Sequence, residues 1–409
     1  MARVFPEVIP PVPPIPPVPI PATIVEPPFP SIGNRWTRHM IQTVVSFGLA
    51  AFAAWLGTRG IHVPVPAIDV VQVTPATTPQ PENKTASIEP PPAMAFGWND
   101  TPELITTAKA SLKTVFRQTP SGADDSILPK DVYQWQTYLK VRGKPKRDKN
   151  QNPVGSCVAF GCGTASENAL ICTIAAGEPF EFTEFSEEVS YALMRVDIGR
   201  GELRGQDGAV GGWAARARTE LGALPKGNHD GQDFSKYEPS RARRLGDTGV
   251  SPAIKAEAAK YKAGDAALLR TWLDVKKALA AGHGVFTCSR IGFRPERDSN
   301  GVAVEGWNWG HCMNIDGYHV DDNGTEYTHF DNSWNLSYHR GPVGWGNPNG
   351  AGFWCRASIV ARMLSEGDSY TISAVKGFAR LDLDWNVLNV VPADRFALLE
   401  QFRFALTNR

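Results

Sequence analysis

Several function classes are missing from this sequence. Its six cysteines, at 157, 162, 172, 288, 312 and 355, form no CxxC pair and no metal-ligand spacing. No His/Cys/carboxylate cluster suited to a metal stands out, and no glycine-rich phosphate loop is present. Charge of one sign is not in excess: 42 basic residues face 42 acidic ones, which argues against a nucleic-acid surface. There is no internal repeat. Three of the cysteines fall within sixteen residues of one predicted helix, so they are not the disulfide framework of a domain this large. A single bridge, for example Cys312 to Cys355, is left open. No cofactor is implied.

Proline, by contrast, is concentrated. Residues 1–30 hold twelve prolines, and twenty of the 33 lie before residue 93. Proline has a fixed φ and no N–H, so residues 1–39 read as polyproline-like or disordered chain. Such a tract serves as a spacer or as a ligand for an aromatic-groove partner. Residues 40–58 carry no charge and are long enough to cross a bilayer. They read as a transmembrane or partner-binding helix. Arg35, Arg38 and His39 before the span outweigh Arg59 and His62 after it, which favours the N-terminus inside and the bulk of the chain on the outer side. Residues 59–96 form a Pro/Thr-rich linker. Residues 97–126 hold one amphipathic helix candidate, Thr101 to Gln118, able to pack on the following domain or to cover it.

The globular chain is expected over 127–365, with 366–409 as a C-terminal extension. Helices are predicted at 157–175, 186–195, 208–221 and 265–281. After Gly282 short alternating runs predict strands at 284–291, 311–320, 325–332 and 351–359, with strand character again at 369–375. A terminal helix is expected at 393–407. Helices first and strands later indicate an α+β fold with two subdomains.

The most informative stretch is Gln151-Asn152-Pro153-Val154-Gly155-Ser156-Cys157. A Gly155-Ser156 turn delivers Cys157 to the first turn of an apolar helix, where free backbone N–H groups and the helix dipole favour thiolate. The other fate of one such cysteine is a small buried hydrophobe. Cys162, five residues after Cys157, lies on another face of the helix and, with Cys172, reads as core. A cysteine nucleophile also needs a base and a group that orients it. His311 begins an alternating run, Asp322-Asn323-Gly324 is a hairpin turn signal, and the return strand ends at Asn332-Ser333-Trp334. The hairpin brings Asn332 beside His311, with Trp334 available to shield their hydrogen bond. His283 and His319 have no such partner downstream. The basic run Lys144, Lys146, Arg147 and Lys149 reads as a solvated loop.

These blocks together resemble the papain-like cysteine peptidases. Gln151 stands six before Cys157, as the oxyanion-hole glutamine of that family does. Gly155-Ser156-Cys157 with Ala159-Phe160, Gly211-Gly212, Gly310-His311 and Asn332-Ser333-Trp334 with Gly344-Trp345-Gly346 follow in the family's order. The likeness covers roughly residues 127–364. It implies a helical left subdomain carrying the cysteine and an antiparallel, barrel-like right subdomain carrying the histidine and asparagine. It further implies a polypeptide substrate and a Cys157 thiolate paired with the His311 imidazolium. Gln151 would stabilise the oxyanion, Asn332 would orient His311, and Gly155, Ser156, Gly211, Gly212, Gly310 and Trp334 would line the cleft. The chain departs from the pattern at Val154, Val158, Cys312 and Asn335. A hydrolase or transferase of a non-protein amide, and a silent binding module of the same fold, are the alternatives.

Overall fold

A computed structural model describes residues 95–335 and 352–389. The proline-rich tract, the 40–58 segment, the linker up to 94, Gly344-Trp345-Gly346 and the 393–407 helix lie outside the described residues.

The helices used below are α1 (Pro102–Ser111), α2 (Gln134–Arg142), α3 (Cys157–Ala175), α4 (Glu187–Ala192), α5 (Gly211–Arg216), α6 (Pro239–Thr248), α7 (Trp272–Ala280) and α8 (Ala357–Ser365). The strands are β1 (Asp131–Tyr133), β2 (Asp265–Leu268), β3 (Gly284–Arg297), β4 (Ala303–Val320), β5 (Glu326–Asp331), β6 (Phe353–Arg356) and β7 (Tyr370–Ser373). The fold is α+β. Helices α3 to α6 gather on one side. On the other, one seven-stranded sheet runs β2-β7-β3-β4-β5-β6, with β1 added to β4. Its ladders are antiparallel, except that Ala303 of β4 meets Cys355 of β6 in parallel. That contact curls the sheet back on itself, as a barrel does.

Helix α3 is the spine. It is long and apolar enough to cross a membrane, yet it is packed inside the domain. A helix that is apolar all round belongs in a core. It lies so close to the sheet that a Cβ on Gly284 of β3 would sit 1.8 Å from the Ala165 carbonyl oxygen, so only glycine fits there. The β4–β5 hairpin forms as the turn signal predicts, with Gly324 at φ +80° and the Asp321 carboxylate accepting from Asn323 and Thr325 N–H.

Four expectations change. Residues 265–281 split into a strand and a helix, because Thr271 and Asp274 form a capping box that starts α7 at Trp272. The 351–359 run is a strand only to Arg356, and then α8 begins. The domain does not end at 365, since β7 pairs with both β2 and β3 inside the sheet. Of the supposed solvated run, Lys146 and Lys149 are buried. Lys146 is 2.7 Å from Asp331, and Lys149 is 2.9 Å from Glu167 and 3.1 Å from Glu187. These pairs pin the chain just before Gln151.

Candidate active site

Cys157 is the first residue of α3, as its sequence predicts. The turn before it is held from the side. Gly155 N–H donates to Asp207 at 3.1 Å, and the Ser156 hydroxyl is 2.9 Å from that of Tyr237. Tyr237 packs edge-on to Phe160, one helical turn into α3.

Gln151 is fully buried and clamped at both ends. Its N–H donates to Ser333 C=O at 2.8 Å, and its Oε1 accepts from the Ser333 hydroxyl at 2.6 Å. With Oε1 fixed as the acceptor, the amide nitrogen must point the other way. It donates to Ala95 C=O at 2.9 Å and to Val154 C=O at 3.2 Å. The chain on the far side is fixed by Asn335, whose N–H donates to Lys149 C=O at 3.0 Å. Asn335 takes φ +66°, a left-handed conformation that Asn tolerates better than most residues with a side chain.

His311 lies within β4 rather than at its start, since the strand extends back to Ala303. Its Nε2 is 2.9 Å from Asn332 Oδ1. Oδ1 also accepts from Ser333 N–H at 2.7 Å, which identifies it as oxygen, so Nε2 carries the ring proton. Trp334 stacks on the imidazole at 4.1 Å with 23° between the planes. His311 Nδ1, buried, keeps its lone pair and has no hydrogen-bond partner among the described residues. Gln151 and Asn332 meet at Ser333, Asn332 holds His311, and Cys157 meets β4 at the backbone of Cys312, the residue after His311.

That place is covered. Residues 95–99 run across it, hydrogen-bonded on both sides. Gly97 and Trp98 N–H donate to Gly310 C=O at 2.9 and 2.8 Å. On the other edge Ala209 N–H donates to Gly97 C=O and Asn99 N–H to Ala209 C=O, each at 2.9 Å. Ala95 N–H donates to the Asn152 side chain at 3.0 Å, and Trp334 Nε1 donates to Ala95 C=O at 3.3 Å. Phe96 lies edge-on to Trp334. The cover presses so closely on the turn before Cys157 that a Cβ on Gly97 would stand 2.0 Å from Gly155 C=O oxygen.

Covering decides the charge state. The helix start favours thiolate, and hydrogen bonds from the backbone at Cys312, Gly97 and Val158 pull the same way. Burial nevertheless wins, with the neighbouring Cys312 adding to it, and holds the Cys157 thiol well above the usual range. Burial likewise pushes His311 down to about 4, against the opposing hydrogen bond to Asn332. In the covered site burial therefore disfavours both the thiolate and the imidazolium. The cause is exclusion of water, which outweighs the dipole of one helix start.

Two expected cleft residues do not pair with the cover through their backbone. Gly211 and Gly212 are buried at the start of α5, where their N–H groups donate to Asp368 at 2.6 and 2.9 Å. The backbone that meets the cover is Ala209, two residues earlier. Gly155, Ser156, Gly310 and Trp334 are at the site. Sequence reading also missed Ser333, although it stands inside the Asn-Ser-Trp block, and it missed Asp368, which carries no local signal. All six cysteines are free and buried, so the Cys312–Cys355 bridge is not formed. Cys312 instead faces Cys288 across the β3–β4 ladder. Cys162 is also buried, its pKa raised to about 12 by burial. Among the described residues no His/Cys/carboxylate group is placed to hold a metal.

No protein-family model matches the chain, and no curated protein matches it. Solved structures do. The chain is similar to xylellain, a cysteine protease from Xylella fastidiosa, at 16% identity and a TM-score of 0.42, covering 69% of this chain and 92% of that one. It is similar to a procathepsin B from Trypanosoma congolense at 14% identity and a TM-score of 0.45, covering 68% and 85%. It is also similar to the bromelain protease from Ananas comosus at 14% identity and a TM-score of 0.40, covering 60% and 99%.

Proposed function

We propose that the chain is a cysteine peptidase, latent in the covered form. One observation carries the reading. The Gln151 amide, beside Cys157, already holds a peptide carbonyl oxygen, that of Ala95, at 2.9 Å. A side-chain amide that holds a backbone carbonyl supports a site that grips a polypeptide, with the same donor available to an oxyanion.

Once residues 95–99 lift away, water reaches the site and the main cause of the two neutral states is removed. The Cys157 proton passes to His311 Nδ1, the nitrogen left free by the Asn332 bond. The thiolate sulfur then attacks the scissile carbonyl carbon, and the electron pair moves to oxygen. Gln151 Nε2 and the Cys157 backbone N–H donate to that oxyanion. As the tetrahedral species collapses, His311 gives its proton to the leaving amine, and the acyl group stays on sulfur. A water molecule, deprotonated by His311, attacks the thioester and restores the thiol. Asn332 and Trp334 hold the ring in place throughout. Gly310 C=O and Ala209, now bonded to the cover, take the substrate backbone instead.

The cover supports a second reading, a binding module without turnover. A peptidyl epoxide separates the two. The peptidase reading expects covalent labelling of the wild type once the cover is loosened, loss of labelling in Cys157→Ala, and retention in Cys162→Ala. An unlabelled, uncovered chain that cleaves no peptide library would leave only the binding module. Membrane anchoring through 40–58 belongs to the same proposal. It expects the chain to leave the membrane fraction when residues 1–60 are deleted.

A further inference from the structure

The bonds that hold residues 95–99 are nearly all made by the backbone of that segment, and so do not read its side chains. One is different. The Trp98 indole N–H donates to Asp368 Oδ2 at 2.8 Å, with both side chains buried. Asp368 is fully enclosed, and its two oxygens already accept from Gly211 and Gly212 N–H. The glycines leave the room: a Cβ on Gly211 would come within 3.1 Å of the Asp368 carboxyl carbon, and one on Gly212 within 3.0 Å of the Tyr370 hydroxyl. A single acceptor thus lies at the floor of an otherwise tight pocket, one residue along the cover from Gly97, whose backbone faces Cys157.

We infer that the pocket filled by Trp98 reads the side chain of the substrate, and that Asp368 makes it select polypeptides bearing a tryptophan or another ring with an N–H donor at that position. This inference rests on the peptidase reading, and it gives that site its substrate class. A large apolar side chain without a donor fills the same space but leaves a buried carboxylate oxygen short of a partner it has lost from water. Sites of that kind discriminate strongly against analogues lacking the donor. Trp98 itself is then a tethered imitation of the side chain that the substrate brings.

The test separates recognition from chemistry. The full chain carrying Trp98→Ala and Cys157→Ala has an empty pocket and no nucleophile. Binding is measured by calorimetry for two peptides, Ala-Phe-Gly-Trp-Asn and the same peptide with benzothienylalanine for tryptophan, which keeps the ring shape and replaces N–H by sulfur. The tryptophan peptide should bind at least about tenfold more tightly. In the Asp368→Asn background, which keeps an acceptor but removes its charge, that ratio should fall severalfold. A ratio of two peptides on one preparation is insensitive to the fraction of folded chain. Equal affinities, or no binding of either peptide, would overturn the role of Asp368. Labelling of Cys157 in the Trp98→Ala single variant is read separately. If it fails while the tryptophan peptide binds selectively, the peptidase reading falls and the pocket stands.

Discussion

Replacing Gly97 by valine should open the site. The Cβ would lie 2.0 Å from the Gly155 carbonyl oxygen, 2.2 Å from its carbon and 2.6 Å from its Cα. All three are backbone atoms of the nucleophile turn, so no side-chain rotation relieves the overlap. What opposes release can be estimated. The eight hydrogen bonds made by residues 95–99 contribute about 1 kcal/mol each net. Burial of the Trp98 side chain adds about 3 kcal/mol. Freeing five residues returns about 1.5 kcal/mol of chain entropy each. The balance is about 3–4 kcal/mol, so the covered form outnumbers the open one by several hundredfold. Helix α1 remains tethered through Asp100 and Arg290, 3.4 Å apart, so only the segment before it need move. Steric overlap with backbone exceeds this balance, and Gly97→Val should invert it. The assay is the second-order rate of Cys157 alkylation by a small haloacetamide at neutral pH. It should rise by a hundredfold or more over wild type, and the rate should become less dependent on added alkali as burial stops holding the thiol protonated. An unchanged rate in Gly97→Val, with the protein still folded, would refute the claim that residues 95–99 are what keeps Cys157 inert.

The kinetic predictions use that uncovered chain. Gln151→Ala should lower kcat about a hundredfold with little change in KM, because the amide acts on the oxyanion and not on the bound substrate. Asn332→Ala should lower kcat about tenfold, since His311 stays under Trp334 but loses the bond that fixes its protonation at Nε2; steady-state kinetics checks both. For the covered protein, burial puts His311 at about 4 and His283 at about 3, below the ordinary histidine value of 6.5. Between those values the unfolded chain binds more protons, so the stabilisation is complete above about pH 6.5 and is lost as pH falls toward 4 and then 3. Urea midpoints measured from pH 7.5 to 4.5 should fall, and the fall should be shallower in His311→Gln; the same slope in both would contradict the assignment.

Much of this site could be read from the sequence, because its parts are local. A Gly-Ser turn before an apolar run fixes Cys157 at a helix start, and a turn signal between alternating runs fixes His311 opposite Asn332. Both depend on backbone geometry set within a few residues. Gly211-Gly212 was less legible for the opposite reason. Two adjacent glycines mark close approach of something, and the sequence cannot say of what; here it is Asp368, some 156 residues away in the chain. The strand and helix boundaries at 265–281 and 351–359 were missed where a cap or a sheet partner, not periodicity, ends the element.

The state of the thiol was not legible at all, and the reason is general to this architecture. A helix start stabilises an anion by about 1 kcal/mol at best in most settings. Removing a thiolate from water costs several times more. Which term prevails depends on whether anything lies over the site, and that is decided by residues 95–99, which the linker composition of 59–96 had assigned in part to unstructured chain. Their affinity for the groove comes from features that look ordinary in sequence: a glycine where a side chain would strike Gly155, and a tryptophan whose N–H matches a carboxylate 270 residues on. The same five residues therefore set the protonation of Cys157, occupy the Gln151 donor and fill the Asp368 pocket. Any event that displaces them changes all three at once, so gain of nucleophilicity and exposure of the side-chain pocket should occur together, with the same dependence on denaturant. Alkylation of Cys157 and binding of the tryptophan pentapeptide, followed in parallel through low urea concentrations, should share one midpoint. Two separate midpoints would mean that the cover opens in parts and that burial of the thiol has another cause.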